Sequence, residues 1–356
     1  MSRKTYFQKA ANKYKNGFWI NNPTLYHADL AIAAGSISCT TNPTYTSKML
    51  SSKTDRQRSH SLLWDILRYV DDDSKAARLL QRKSIVPLLE KFLPQYKESK
   101  GKRGFVSIQG DPLAEDDPDM IINEALEDIR LGQNVIIKIP VTRAGLAAIK
   151  YLAAKSIPII ATEIMSLAQV IQVCETYKQA TYGKAGRPPL YVTHITGIFD
   201  QYIGNRAGEL GIAIPENLLN EAGLMIARKQ YSLMKERNYH GILLGGGARS
   251  LRHFTGLVGG EVDITINWEG TADQLIKLSP PIQDFLHTHV SERDARILMD
   301  LLPEYVLAYE PDALRTEDFE SYGPVVLFRE SFIDGWNDTL AAIKTARSTS
   351  RSRGVS

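Results

Sequence analysis

A lysine inside an apolar segment is the residue whose surroundings point most directly to chemistry. Lys138 lies in the segment VIIKIP, with isoleucine on either side of it. Burying an ammonium group is costly, so an apolar interior should lower the pKa of this lysine and favour its neutral form. A neutral amine can attack a carbonyl carbon and form a Schiff base. The residues alone leave an alternative equally open, in which Lys138 is paired with a buried carboxylate.

Other polar residues stand at the ends of short apolar runs that we predict to be strands. Active sites of parallel barrels lie at the C-terminal ends of the strands, which makes these residues candidates for the same site. They are Asn21, Thr40, Thr41, Asn42, Gln109, Asp111, Thr162, Glu163, Thr193, His194, Gly247 and Arg249.

Side chains alternate between the two faces of a strand, which separates neighbouring candidates. Only one of Thr193 and His194 can point into a barrel, and we expect His194 to pack between the barrel and a helix. Glu163 directly follows Thr162, so we expect it to point outward as a solvated or helix-capping acid.

Eight short runs rich in β-branched residues are each followed by a segment with helical periodicity. This alternation predicts a parallel sheet covered by helices, and eight strands are what a closed (β/α)8 TIM barrel of the α/β class requires. Two longer connections predict additional helices after strand 2 and at the C-terminus. The predicted strands are residues 17–21, 36–39, 105–109, 134–140, 157–164, 190–196, 241–246 and 262–267.

No segment has the composition of an interdomain linker, so we predict a single domain over residues 1–346. Residues 347–356 are small, polar and basic, which predicts a disordered tail. The net charge of +3 over 356 residues is too small to indicate nucleic-acid binding. The sequence has no apolar run of about 18 residues, so we expect no membrane span and a cytoplasmic protein.

The sequence gives no convincing metal-binding pattern. It contains neither CxxC nor HExxH, and its two cysteines, Cys39 and Cys174, are expected to be buried thiols. His287 and His289 are two residues apart but lack a third ligand nearby. We therefore expect no metal and no cofactor.

Four motifs occur in an order and at spacings that resemble the transaldolase family, which includes the fructose-6-phosphate aldolases. The KIP strand around Lys138 is similar to the family's strand with the Schiff-base lysine, and TTNPT at 40–44 is similar to its TTNPS. VSIQGDP at 106–112 and LGGGARS at 244–250 resemble two further family motifs. The resemblance covers roughly residues 18–270.

The resemblance implies a role for each matching residue. Lys138 would be the Schiff-base nucleophile, with Thr162 positioning a water next to Gln109. Asn42 and its neighbour Thr41 would contact the substrate, and Arg249 would bind its phosphate.

The implied activity is that of a class I aldolase or transaldolase of carbohydrate metabolism, such as the pentose phosphate pathway. It would transfer or release a dihydroxyacetone unit without a metal. The implied partners are small ketose and aldose sugar phosphates, and a homo-oligomer is possible.

The sequence also departs from the family at several pocket positions. The changes remove acid–base groups and weaken the expected phosphate site, although His194, Asp111 and Glu163 stand near enough to be substitutes. The departures are Asn21 for an acidic residue, Gln109 for the glutamate of the transaldolase branch, Thr193 for a serine, Ile195 for an aromatic residue, Ile198 for an arginine, and Gly247 for a serine.

These departures keep two other functions open. One is a catalytically degenerate barrel that binds a sugar phosphate or acts in regulation. The other is a phosphate-binding barrel with different chemistry, such as an isomerase.

Overall fold

The structure is a computed structural model that describes residues 4–288 and 291–352. Eight parallel strands close into a barrel in sequence order, which confirms the predicted (β/α)8 fold. The strands are β1 (Gly17–Asn21), β2 (Ser36–Thr40), β3 (Val106–Gln109), β4 (Val135–Pro140), β5 (Ile159–Ile164), β6 (Leu190–Ile195), β7 (Ile242–Gly246) and β8 (Val262–Ile266).

Helices connect the strands and add to the barrel where the sequence predicted it, after β2 and after β8. In the described residues they are α1 (Tyr6–Tyr14), α2 (Leu25–Ala34), α3 (Tyr45–Ser51), α4 (Arg56–Leu67), α5 (Asp73–Glu98), α6 (Pro118–Asp128), α7 (Arg143–Ala154), α8 (Leu167–Ala180), α9 (Thr196–Leu210), α10 (Glu216–Leu219), α11 (Ala222–Glu236), α12 (Arg252–Thr255), α13 (Asp273–Leu278), α14 (Glu292–Leu301), α15 (Pro303–Tyr309) and α16 (Gly323–Ser352). None of these helices is long and apolar enough to cross a membrane.

Helix α1 was not predicted, although the sequence carries a signal for its start. Thr5 accepts a hydrogen bond from the backbone N–H of Gln8 at 3.2 Å, and the Gln8 side chain accepts one from the backbone N–H of Thr5 at 3.0 Å. This reciprocal capping box is encoded by a threonine followed three residues later by a glutamine.

The predicted start of the disordered tail, at residue 347, is too early in the sequence. Helix α16 continues to Ser352, so residues 347–352 are helical, and residues 353–356 lie outside the described part of the chain. Arg347 holds this helix against the start of α5, donating to Asp73 Oδ1 and to the carbonyl of Val70, both at 2.6 Å. The basic residue that indicated a solvated tail therefore has a specific partner.

The barrel interior is filled by large side chains near its N-terminal end, separate from the main core between strands and helices. Because side chains alternate along each strand, the residues two positions further on face the same way, at the C-terminal end. There the large apolar residues give way to polar ones: Lys138 follows Ile136, Asn21 follows Trp19 and Thr193 follows Tyr191. The interior cluster consists of Trp19, Phe105, Ile136, Ile160, Tyr191 and Leu244.

Strand β5 contains an irregularity that reverses one side chain. Its pairing with β6 shifts register between Ala161 and Ile164, and Glu163 has a φ of 62°. Gln169 stabilises the distortion by donating to the Glu163 carbonyl at 3.0 Å. A bulge of this kind interrupts the alternation of side chains, and the Glu163 side chain is fully buried. The prediction that Glu163 points outward was therefore wrong.

Candidate active site

A cavity of about 300 Å³ opens at the C-terminal ends of the strands, which is the size of a small-molecule site. Helix α16 crosses this end of the barrel and contributes Phe328, Ser331 and Phe332 to the wall. The remaining lining residues are Asn21, Asn22, Thr40, Asn42, Thr44, Lys48, Lys138, Ile160, Thr193, Ile195, Leu244, Gly246, Gly247, Arg249, Thr265 and Asn267.

Lys138 lies in the wall of this cavity with only 7% of its surface exposed. Its Nζ lies 5.2 Å from the centroid of the Phe332 ring, and in the described residues no carboxylate forms an ion pair with it. Burial lowers the pKa of Lys138 to about 8, although nearby Glu163 and Glu115 oppose the shift. At pH 7 about a tenth of this lysine is therefore neutral and able to act as a nucleophile, far more than for an exposed lysine.

A ring of amide and hydroxyl groups surrounds the cavity on the β1, β2 and β8 side. Asn21 accepts a hydrogen bond from Thr40 Oγ1 at 3.0 Å and donates one to Asn267 Oδ1 at 3.0 Å. Thr40 and Thr265 also share a hydrogen bond of 2.6 Å. These groups both donate and accept, which suits sugar hydroxyls, but none of them titrates near neutral pH.

Asn42 lies in the cavity wall as predicted, and its side chain is held by its neighbours. Its Oδ1 accepts hydrogen bonds from Asn22 Nδ2 at 3.0 Å and from Thr44 Oγ1 at 2.7 Å. Lys48 of α3, which the sequence analysis missed, also lines the cavity, and its Nζ donates to the Asn22 carbonyl at 2.8 Å. Lys48 thus adds a cationic side chain to the site, besides Lys138 and Arg249.

Thr41 does not reach the cavity, contrary to its predicted contact with substrate. Its hydroxyl donates to the Ser107 carbonyl at 2.5 Å, and its backbone N–H donates to Ser107 Oγ at 2.9 Å. The threonine is fully buried and links the end of β2 to β3. This link positions the neighbouring Asn42.

Gln109 lines a second, smaller space behind Lys138, together with Asp111 and Glu115. This space is about 20 Å³, roughly what one water molecule needs. The Gln109 amide donates to Glu115 Oε1 at 2.9 Å and to Glu163 Oε1 at 3.3 Å. Gln109 therefore joins two buried acids: Glu115, which the sequence analysis missed, and Glu163, which it expected to point outward.

Thr162 is fully buried two residues after Ile160, the cavity-lining residue that pairs with Lys138 in the sheet. Its hydroxyl forms no hydrogen bond within the described ranges. A buried hydroxyl without a partner is costly, so it is available to a water or a substrate. The predicted role of Thr162 in holding a water stays a prediction.

The backbone of Gln109 is held by a buried charge network from α5. Gln81 donates to the Gln109 carbonyl at 3.0 Å and also accepts a hydrogen bond from Arg78. Arg78 in turn forms ion pairs with Glu124 at 2.8 Å and Asp128 at 2.9 Å. Through this network, helix α5 holds the Gln109 backbone in place next to the site.

Replacing Arg78 with methionine is expected to lower the free energy of unfolding by about 3–5 kcal/mol, because Asp128 and Glu124 lose a buried partner. Urea unfolding would measure the loss. The matched control is Arg68→Met, since Arg68 pairs with Asp65 on the surface and should cost less than about 1 kcal/mol. Equal losses in the two variants would contradict the assigned role of the network.

Arg249 follows β7 and presents its guanidinium at the edge of the cavity. The group lies 3.5 Å and 3.4 Å from the carbonyls of Gly247 and Ala248, and among the described residues it has no carboxylate partner. His253 fixes the loop, because its Nδ1 accepts from the Arg249 backbone N–H at 2.8 Å while its Nε2 contacts Asp200 at 2.8 Å. This arrangement leaves the Arg249 side chain available to an anion.

Two of the sequence departures fit each other. Gly247 has a φ of 64°, and a Cβ at this position would lie 2.4 Å from Ile195 Cγ2. Ile195 therefore occupies space that a side chain at 247 would need. Gly247 lines the cavity as predicted, but it can contact a substrate only through its backbone.

The alternation predicted for β6 is confirmed. Thr193 lines the cavity, whereas His194 is fully buried on the other face and lies near Phe199. Burial lowers the pKa of His194 to about 3, so this histidine is neutral near pH 7.

No cluster of three metal-ligating side chains occurs in the described residues. His287 pairs with Asp284 at 2.9 Å, and His289 lies outside the described part.

Known proteins share this sequence pattern. A sequence model of the transaldolase/fructose-6-phosphate aldolase family matches residues 28–301. Transaldolase from Mycobacterium ulcerans (strain Agy99) is 29% identical over 208 residues, which are 56% of this chain and 55% of that protein. Transaldolase from Mycobacterium leprae (strain Br4923) is 33% identical over 146 residues, 39% of either chain. The chain thus matches about half the length, or less, of these curated relatives. Because the family match extends over most of the barrel, the chain belongs to the transaldolase/fructose-6-phosphate aldolase family.

Proposed function

We propose that this protein is a class I aldolase or transaldolase in which Lys138 forms a Schiff base with the keto carbon of a ketose phosphate. The observation that carries the proposal is the Lys138 amine, which is buried, has a lowered pKa and lies in the wall of a sugar-sized polar cavity. Membership of the family supports the general activity. That the substrates are sugar phosphates is part of the proposal.

In the proposed reaction, Lys138 Nζ attacks the C2 carbonyl and the resulting carbinolamine loses water to give an iminium ion. Removal of the proton from the C4 hydroxyl then breaks the C3–C4 bond, and its electron pair moves into the iminium to form an enamine. The aldehyde product leaves. The enamine either attacks an acceptor aldose or is protonated and hydrolysed to release dihydroxyacetone.

The cavity wall supplies contacts for each part of such a substrate. Asn21, Thr40 and Asn42 offer hydrogen-bonding groups to the hydroxyls, while Arg249 and Lys48 offer positive charge to the phosphate. Phe332 from α16 lies over the Lys138 amine, and Phe328 lines the cavity beside Phe332. Excluding water in this way strengthens electrostatic interactions inside the site and protects the enamine from premature protonation.

Borohydride trapping tests the proposal. Incubating the protein with fructose 6-phosphate or dihydroxyacetone and then reducing it should add the mass of the reduced ketose to Lys138, as mapped by peptide mass spectrometry. Lys138→Ala should give no adduct. Absence of an adduct with every ketose of a panel would instead favour a degenerate binding barrel or a different chemistry. If the adduct forms, product analysis distinguishes the two activities: an aldolase releases dihydroxyacetone, whereas a transaldolase transfers the dihydroxyacetone unit to an aldose.

A further inference from the structure

Two glutamates are buried beside Lys138, and neither lines the larger cavity. Glu115 is 6% exposed and Glu163 is fully buried, and the amide of Gln109 donates to one oxygen of each. The second oxygen of each carboxyl has no hydrogen-bond partner within the described residues. An unsatisfied buried carboxylate is costly, so this arrangement favours a protonated carboxyl or a bound water.

The position of Glu163 carries a cost that a structural role does not explain. Its φ of 62° lies in the left-handed region, which non-glycine residues seldom adopt. Backbone strain of this kind collects at functional sites. An apolar residue in a regular strand would fill the barrel without strain and without a buried charge. The bulge instead brings an acid to the lysine.

The surroundings of Glu163 and Glu115 raise the pKa of each carboxyl above its ordinary value. Burial raises the pKa of Glu163 to about 7, against the opposing influence of Lys138 and of Arg329 on α16. Burial and the neighbouring Glu163 raise the pKa of Glu115 well above its usual range. Two carboxyls that share a donor do not ionise together easily, so one of them keeps its proton near pH 7.

We propose that Glu163 and Glu115, joined by Gln109, store the proton that is exchanged with the Lys138 adduct, and thereby replace the acid–base groups missing at Asn21 and Gln109. The inference rests on the proposed Schiff-base function and adds its proton source. The water-sized space lined by Gln109, Glu115 and Lys138 provides the route for the proton. Glu115 lines this space, and Glu163 is joined to it by the Gln109 amide. Neither touches the sugar, so both are positioning residues.

The proton balance of the dehydration step shows what the pair contributes. The carbinolamine hydroxyl leaves as water only when it gains one proton, which a carboxyl of the pair supplies through the bridging water. The C–O bond breaks and the nitrogen lone pair forms the C=N bond. The products are water, an iminium cation and a carboxylate, whose opposite charges stabilise each other in the buried site. Hydrolysis of the iminium returns the proton to the carboxylate.

The substitutions Glu163→Gln and Glu115→Gln test this role, because glutamine keeps the size of the side chain and removes its titration. In a single-turnover experiment, with borohydride added at successive times, each variant should form the adduct on Lys138 about 10²-fold more slowly than wild type. The pH–rate profile of Glu163→Gln should lose the limb near pH 7. The matched control is Asp263→Asn, which alters another buried barrel acid, with a pKa raised to about 6 and a hydrogen bond to Trp19.

The outcomes separate this inference from the function on which it rests. Suppose that the wild-type protein forms the adduct on Lys138 and that both glutamine variants keep its rate and pH profile. The proton-store role is then overturned, and the Schiff-base function stands. Equal slowing in Asp263→Asn also overturns the proton-store role, because the effect would then be a general one. No adduct in wild type overturns both. If Glu163→Gln does not fold, Glu115→Gln carries the same measurement.

Discussion

Replacing Lys138 with methionine is expected to abolish ketose turnover, by on the order of 10⁴-fold or more, and at the same time to stabilise the fold at pH 6. Methionine fills similar space without an amine, so it cannot form a Schiff base. The folded-state pKa of about 8 lies below the ordinary value of 10.5, so burying the charged lysine destabilises the fold fully below pH 8. This penalty is relieved as the pH rises from about 8 to 10.5. The stabilisation by methionine should therefore be largest at acidic pH.

Thermal unfolding at pH 6 and pH 10, alongside steady-state kinetics, would check both parts. At pH 6 Glu163 is mostly protonated, so removing the lysine does not leave a buried carboxylate unpaired. Lys150→Met on the exposed face of α7 is the matched control, and it should change neither quantity appreciably. Turnover within tenfold of wild type would exclude Lys138 as the nucleophile. A loss of stability at pH 6 would show that the lysine is paired rather than merely buried.

The sequence predicted which strand residues line the site, because side chains in regular strands point to the same face at every second residue. Lys138, Asn21 and Thr193 face the cavity for the same reason that Ile136, Trp19 and Tyr191 fill the barrel beneath them. Each pair is two residues apart on one strand, so hydrophobic patterning and strand register together place the polar residues. The eight apolar runs could be identified from composition alone.

The residues that the sequence could not place lie where this regularity ends. Glu163 lies within the bulge of β5, where the alternation of side chains between the two faces is interrupted. Glu115 and Lys48 come from connections between strands, whose direction no alternation rule predicts. Thr41 lies just past β2, where the backbone turns toward β3. Local sequence gave little signal for any of these four positions.

The departures from the family pattern are better understood as groups than as single losses. Gln109 donates to both Glu115 and Glu163, which an ionised glutamate at the same position could not do. An acid there would also place three carboxyls together, at considerable electrostatic cost. The amide at 109 therefore suits the two acids, just as the position of Ile195 requires a glycine at 247. The departures at 109, 195 and 247 thus fit neighbouring residues of this chain and are not unrelated losses.

The second large effect is expected at Arg249, whose replacement by glutamine should raise KM for a phosphorylated ketose by about 10-fold to 10²-fold. Hydrogen bonds to charged groups contribute about 1.5–3 kcal/mol, and each 1.4 kcal/mol is a factor of ten. KM for unphosphorylated dihydroxyacetone should stay nearly unchanged, because that substrate carries no anion. Steady-state kinetics with both donors would measure the difference.

Arg252, three residues further along, provides the matched control. It pairs with Glu221 and does not line the cavity, so Arg252→Gln should leave the ratio of the two KM values at its wild-type level. An equal rise in KM for both donors in Arg249→Gln would show that this residue shapes the pocket instead of binding phosphate. If neither KM changes, the phosphate site must be sought at Lys48, which also lines the cavity. The selectivity of the Arg249 effect, more than its size, thus decides whether this barrel requires a phosphorylated sugar.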